Sequence, residues 1–227
     1  MRAMILAAGR GERMRPLTDK TPKPLLSVAG KPLIQYTIEN LIAAGYVEIV
    51  INLAHLGQQI KNYFGNGQTL GANIEYSFEG ETGLETAGGI IKALPLLGNS
   101  PFLVINGDIA SDFPLASLQE KSIDLAHLIL INNPKHHSQG DFCLAKNGLL
   151  SEHGPNKLTY SGIGLYHPQL FSHSFHGKLK LGPLLRQAMP NNRISGEKFN
   201  GFWMDVGTPQ RLQELNTYYQ QRGTIHA

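Results

Sequence analysis

Apolar residues in the first 110 positions fall into two alternating rhythms. Met1–Ala7, Glu48–Ala54 and Phe102–Asn106 are short, almost continuous apolar runs, and Ala72–Glu79 alternates apolar with polar. Both patterns predict strands. Between them, Leu33, Ile34, Ile38, Leu41 and Ile42 recur at helical spacing after Pro32, a favoured first-turn residue, and Gly45 ends that helix. Leu56–Phe64 reads as a second helix, closed by Gly65-Asn66-Gly67, and Thr86–Leu96 as a third. This β-α-β-α order predicts an α/β fold with a largely parallel sheet and helices on both faces. The second half is less regular. Asp124–Ile131, Leu158–Tyr166 and Phe202–Val206 read as strands, Leu181–Met189 and Pro209–Gln221 as helices. One continuous domain is expected, with residues 135–200 forming a lid or side layer. No internal repeat or low-complexity segment is present.

Composition narrows the class. With 41% hydrophobic and 16% charged residues, the 227-residue chain is an ordinary globular protein. No apolar run approaches the roughly 18 residues of a membrane span. The apolar start is too short for a signal-peptide core and leads into charges instead of a cleavage site. A single cysteine, Cys143, cannot form an internal disulfide, and a cytoplasmic location is the expectation. The net charge of +3 is too weak to argue for nucleic acid. Its distribution says more: residues 1–31 hold seven Lys or Arg against two acids, and the rest of the chain is net acidic. That concentration suggests a local anion site.

The basic segment contains Leu6-Ala7-Ala8-Gly9-Arg10-Gly11-Glu12-Arg13-Met14-Arg15-Pro16. Gly9 and Gly11 let backbone approach a ligand, and successive N–H groups in such a turn form an anion-binding concavity, to which Arg10, Arg13 and Arg15 can add charge. A dinucleotide fingerprint needs a third glycine where Met14 stands, and a helix where Pro16 stands; a Walker A loop needs Gly-Lys-Ser/Thr. Both fail. Pro22 and Pro24 flank Lys23 and are expected to hold it extended, lowering its ordering cost on meeting a phosphate. A purely structural Pro-Lys-Pro is the alternative.

Two acids complete the candidate chemistry. Asp108 follows the strand Phe102–Asn106 and Gly107, at the strand end where open α/β sheets bind ligands. Asp205 lies in Phe202-Trp203-Met204-Asp205-Val206, where an unpartnered acid is costly to bury. A magnesium ion would supply the partner, since Mg²⁺ takes one or two carboxylates plus substrate phosphates. The other reading of Asp205 is a cap or turn acid before Pro209, although Thr208 suits the cap better. The histidine pairs His136-His137 and His173–His176 read as loop residues.

Taken in order, the Leu-Ala-Ala-Gly-x-Gly-x-Arg-Met segment, Pro22-Lys23-Pro24-Leu25, Gly30-Lys31-Pro32-Leu33-Ile34, Glu85-Thr86-Ala87-Gly88-Gly89, Asn106-Gly107-Asp108 and Trp203-x-Asp205-Val206-Gly207-Thr208-Pro209 resemble the sugar-phosphate nucleotidyltransferase family. The resemblance covers nearly the whole chain and is weakest at 110–160. The segments 51–60, Lys92–Gly98 and Gly140-Asp141-Phe142, with the short length, are most like the members that charge N-acetylmuramate 1-phosphate in cell-wall (peptidoglycan) recycling. Ala87 replaces a usual glycine, and Glu152 lacks the Lys-Pro that often follows it.

The resemblance implies a mixed, Rossmann-like sheet of the nucleotide-diphospho-sugar transferase type. Residues 1–110 would form the nucleotide half and 111–227 the sugar-phosphate half. It implies UTP and a sugar 1-phosphate as substrates, no nucleic acid or membrane partner, and a monomer or weak homodimer. Asp108 and Asp205 would hold Mg²⁺, Arg15 would stabilise departing pyrophosphate, and Lys23 would sit on the reacting phosphates. Leu6, Ala7, Ala8, Gly9, Gly11, Glu12, Arg13, Asn106 and Gly107 would hold the nucleotide, with Glu79 and Gly83 near the base. Glu85, Asp141, Glu152 and Gly162 would face the sugar. Competing readings are a mannose-1-phosphate guanylyltransferase, a glucose-1-phosphate thymidylyl- or uridylyltransferase, and a non-catalytic nucleotide sensor.

Overall fold

The computed structural model describes residues 1–172 and 177–225; the histidines of 173–176 lie outside the described residues. Seven strands form the central sheet: β1 (Ala3–Leu6), β2 (Glu48–Leu53), β3 (Asn73–Phe78), β4 (Phe102–Asn106), β5 (Ala126–Ile131), β6 (Thr159–Tyr166) and β7 (Ile194–Lys198). Their spatial order is β7-β5-β6-β4-β1-β2-β3. The pairs β1–β2, β1–β4, β2–β3 and β5–β7 are parallel, while β6 runs antiparallel to both β4 and β5. One strand of the seven is therefore reversed, and the sheet is mixed and mostly parallel.

Period-two alternation sends the strands' side chains into two separate cores. Ala3, Ile5, Ile49, Ile51, Leu103 and Ile105 join one core with Ile34, Ile38 and Leu41 of α1 (Leu33–Ala43) and Ile60 and Phe64 of α2 (Gly57–Phe64). Met4, Val50, Phe102 and Val104 face the opposite core with Ala87, Ile90 and Ala93 of α3 (Glu85–Leu97) and Leu181 and Leu185 of α4 (Leu181–Ala188). A third, smaller core under α5 (Pro209–Ile225) gathers Met14, Val28, Leu33, Val206 and Leu215. Asn216 Oδ1 accepts from the Ala29 N–H at 2.8 Å, which pins the 27–32 turn to that helix.

Two expectations need correction, and one strand has no clear signature in the sequence. Residues 135–200 are not a lid or side layer, because β6 and β7 from this stretch belong to the main sheet, β6 between β5 and β4 and β7 at one edge. β7 was not read as a strand: Ile-Ser-Gly-Glu-Lys has little apolar content, and as an edge strand it needs little. Pro32 is the cap of α1 instead of its first residue, with extended ψ of 140°. The 8–30 segment is locally ordered. It contains three single-turn 3₁₀ helices and half of a two-residue hairpin that pairs Ser27–Val28 with Lys31–Pro32.

Candidate active site

From β1 the chain builds outward through β2 to β3, then crosses back to add β4 on the other side of β1. This is the switch point at which an α/β sheet opens a crevice beyond its strand ends. A cleft of about 490 Å³ lies there. Leu6–Met14 form one part of its lining, Asn106–Asp108 another, Glu79 and Thr82–Thr86 a third, with Lys23, Pro24, Asn52, Lys178 and Gly207 between them. Of the expected nucleotide residues, Leu6, Ala7, Ala8, Gly9, Gly11, Glu12, Arg13, Lys23, Glu79, Gly83, Asn106 and Gly107 all line this cleft.

The first loop is set by a few fixed points. Gly11 has φ of +72°, and a Cβ there would fall 2.9 Å from the Thr18 side chain. Thr18 is fully buried and its hydroxyl donates to the Gly11 carbonyl at 2.9 Å. Gly9 has open space where a Cβ would stand, so the backbone is bare towards the cleft at that residue. Gly107 does a different job. Its N–H donates to the Leu6 carbonyl at 2.9 Å, and a Cβ would meet that same oxygen, so β4 can close on β1 only without a side chain.

A buried polar relay, unread in the sequence, ties the strand ends together. The Ala7 N–H donates to Asn52 Oδ1 at 2.7 Å, Asn52 Nδ2 donates to Glu79 Oε1 at 2.5 Å, and the Leu84 N–H donates to Glu79 Oε2 at 2.6 Å. Asn52 interrupts an apolar strand, which was the signal available for it. Both Glu79 oxygens are thus held by donors from the chain itself, and Glu79 braces the cleft wall. Gly89 packs on this relay: a Cβ would lie 2.2 Å from Glu79 Oε1. Glu85 also lines the cleft and adopts a left-handed φ of +62° at the start of α3.

Lys23 does not stay extended between its prolines. Pro22 is extended, but Lys23 opens a 3₁₀ turn to Leu25. The turn aims the ammonium at Asp108, with Lys23 Nζ 2.5 Å from Asp108 Oδ2. The strand carrying Asp205 lies alongside: Trp203–Asp205 pairs antiparallel with Ile109–Ser111, and the Val206 N–H donates to the Asp108 carbonyl at 2.7 Å. The structure therefore sets the backbones of the two acids side by side although nearly a hundred residues separate them; Asp108 lines the cleft, and Asp205 lies beside it, outside the lining. Asp205 does not lack a partner as expected. Its Oδ1 accepts from Arg211 and sits 3.2 Å from His136 Nε2. The Thr208 hydroxyl accepts from the Arg211 N–H at 3.3 Å, so Thr208 caps α5 and Asp205 does not.

Magnesium fits this donor set. Among the described residues no group of three or more His, Cys, Asp or Glu could cage a metal. Two carboxylates on paired backbone, one of them lining the cleft, suit a hard cation that takes one or two protein carboxylates and completes its shell with substrate oxygens.

Four other expected residues lie elsewhere. Arg15 is exposed and its Nε donates to Asp19 at 2.6 Å; that hydrogen bond and the Asp19 charge raise the guanidinium pKa. The turn Glu12–Met14 points Arg13, and not Arg15, into the cleft, where Arg13 Nη2 stands 3.0 Å from the Cβ position of Gly207. Asp141 is consumed by structure, with Oδ1 3.0 Å from His137 Nε2 and Oδ2 accepting from the Tyr160 N–H at 2.8 Å. Glu152 pairs with Arg186 of α4 at 2.9 Å. Gly162, with φ of +82°, lies beneath the cleft, where a Cβ would press on Ile109 and Asn106. His136 and His137 are in a 3₁₀ turn, as loop residues should be, yet each contacts one of the singled-out acids. Lys178 was not anticipated. It is held on the cleft wall because Leu179 exchanges backbone hydrogen bonds with Leu84, Ala87 and Gly88.

The chain is 53% identical over 222 residues to the N-acetylmuramate alpha-1-phosphate uridylyltransferase of Neisseria meningitidis serogroup B, covering 94% of this chain and 96% of that protein. It is 33% identical to the enzyme of the same name from Caulobacter vibrioides, with 92% of each covered. A mannose-1-phosphate guanyltransferase of Gibberella zeae is 32% identical, but the chain spans 62% of its length. Among solved structures, a protein assigned as a glucose-1-phosphate thymidylyltransferase from Bacillus anthracis superposes with a TM-score of 0.82 at 22% identity, covering 96% of this chain and 94% of that one. HddC from Yersinia pseudotuberculosis, complexed with GMP-PN, superposes at 0.79 and 19% identity, covering 96% and 99%. The nucleotidyl transferase family profile matches residues 2–222, and the chain belongs to that family of enzymes.

Proposed function

We propose that this enzyme transfers UMP from UTP to N-acetylmuramate 1-phosphate, giving UDP-N-acetylmuramate and pyrophosphate, in the cytoplasmic recycling of peptidoglycan. The observation that carries the choice of substrates is the 53% identity to the Neisseria enzyme over nearly the full length of both chains. No helix among the described residues is long and apolar enough to cross a membrane, which is compatible with small soluble substrates.

A sugar phosphate monoester has a second pKa near ~6, so the nucleophile is already ionised at neutral pH and needs no general base. Its oxygen attacks the α-phosphorus of UTP in line, the α–β bridging P–O bond breaks, and the electron pair leaves on pyrophosphate. The work left to the protein is positioning and charge stabilisation. In this reading Asp108 and Asp205 hold Mg²⁺, which when bound neutralises charge building on the phosphates. Lys23 moves its ammonium from Asp108 to the reacting phosphate. Arg13, replacing Arg15 in this role, faces the departing pyrophosphate. The bare backbone at Gly9 and the braced loop from Leu6 to Gly11 seat the nucleotide. Glu85 and Lys178, which also line the cleft, would meet the sugar.

The test is a matrix of UTP, dTTP, GTP and CTP against N-acetylmuramate, N-acetylglucosamine, glucose and mannose 1-phosphates, read by pyrophosphate release. Release with UTP and N-acetylmuramate 1-phosphate in strong preference to the other pairs supports the assignment. Preference for another pair keeps the chemistry and replaces the substrates.

A further inference from the structure

Each candidate metal ligand is engaged by a cationic side chain. Lys23 Nζ lies 2.5 Å from Asp108 Oδ2, and Arg211 Nη1 donates to Asp205 Oδ1. Lys23 is 11% exposed against 34% for Asp108, and Arg211 15% against 22% for Asp205, so both pairs are partly shielded from solvent, the Arg211 pair more than the other. Arg211 is further fixed by the Thr208 hydroxyl, 3.5 Å from its Nε, and by His136 Nε2 at 3.1 Å. The two acids and two bases cancel in charge. A bare divalent cation arriving here would have to evict both cations from their carboxylates and leave them uncompensated in a poorly solvated place.

A nucleotide changes that balance. Lys23 and Arg13 line the same cleft, and Gly207, which also lines it, has Arg211 Nη2 at 2.8 Å and Arg13 Nη2 at 3.0 Å from its Cβ position. Triphosphate oxygens in the cleft would therefore offer new acceptors to the displaced ammonium and guanidinium within a short side-chain swing.

We infer that Lys23 and Arg211 are place-holding counter-charges that keep free divalent cations off Asp108 and Asp205, so that the cation enters with the nucleotide. Arg211 is a positioning residue in this scheme, acting through Asp205. The inference rests on the metal role proposed for the two acids.

The experiment is Mn²⁺ binding to the purified full chain without nucleotide, followed by loss of the free-ion electron paramagnetic resonance signal. Arg211→Gln removes the charge and should bind Mn²⁺ roughly tenfold more tightly or better than the parent. Arg211→Lys keeps the charge and should bind like the parent, and adding Asp205→Asn to Arg211→Gln should abolish the gain. Lys23→Gln should show the same gain through Asp108, and it serves if Arg211→Gln fails a circular dichroism check of folding. Neither glutamine variant binding more tightly than the parent overturns the inference. Repeating the titration with UTP separates the two levels. If Asp108→Asn and Asp205→Asn leave Mn²⁺ affinity unchanged there, the metal role itself is wrong; if they weaken it while the glutamine variants gain nothing, only the counter-charge role is wrong.

Discussion

Lys23 and Asp108 meet at 2.5 Å across 85 residues of chain, one from a proline-flanked 3₁₀ turn and one from the end of β4. Their contact joins the basic loop to the acid-bearing strand ends and, in the proposed mechanism, marks the reactive end of the cleft. Asp108→Asn should abolish turnover while leaving the circular dichroism spectrum unchanged. Lys23→Ala should lower kcat roughly tenfold or more, because a charge aimed at the developing transition state is lost. A Lys23→Ala enzyme with parental kcat would reduce Pro-Lys-Pro to a structural element.

Arg13 and Arg15 make a paired control. They are two residues apart, yet only Arg13 reaches the cleft, while Arg15 is spent on Asp19 at the surface. Arg13→Ala should cost about a hundredfold in kcat, the scale for losing a preorganised donor. Arg15→Ala should leave kcat near parental. Steady-state pyrophosphate release on both variants decides it, and equal losses would contradict the placement.

Gly89 has no room for a methyl group, since its Cβ would stand 2.2 Å from the buried Glu79 carboxylate. Gly89→Ala should destabilise the protein by about 1–3 kcal/mol through overpacking. It should also raise the KM for UTP by disturbing the relay that holds Ala7. Urea unfolding with an unchanged midpoint would show that the wall yields freely.

His127 offers a test of pH dependence away from the cleft. Its ring is buried, with Ser195 Oγ at 2.8 Å, Lys121 Nζ at 3.2 Å and Glu197 at 3.5 Å. Burial first, and the Lys121 charge second, push its pKa below the ordinary 6.5, with Glu197 opposing. The unfolded chain then binds a proton that the folded ring refuses. The stability this contributes is complete above about pH 6.5 and is lost as pH falls from there through the lower folded pKa. His127→Gln should flatten the stability loss between about pH 7.5 and about pH 5.5 in urea unfolding. Parallel pH slopes for parent and variant would refute the linkage.

The parallel half of the sheet was legible because β1, β2 and β4 are buried on both faces and read as unbroken apolar runs. α1 announced itself by helical spacing and the bounding Gly45, and α2 by the Gly65-Asn66-Gly67 turn that closes it. The ribbon pairing Asp205 with Ile109 was not legible, since nothing local in either segment specifies so distant a partner. The loop glycines marked the cleft, but which arginine enters it depends on a single 3₁₀ turn that periodicity does not reveal. Asp205 looked unpartnered because its counter-charge, Arg211, sits one helical turn into α5. Asp141 and Glu152 carried the right chemistry for a sugar pocket, yet the fold uses them to fix Tyr160 and Arg186.

The most direct test of the central claim is ³¹P nuclear magnetic resonance of one reaction containing the enzyme, Mg²⁺, UTP and N-acetylmuramate 1-phosphate. The account predicts that UTP and the sugar phosphate disappear together while pyrophosphate and a UDP-sugar diphosphate appear in equal amounts, and that chelating the metal stops all four changes. Inorganic phosphate in place of pyrophosphate, or no consumption of UTP by a folded sample, would contradict it.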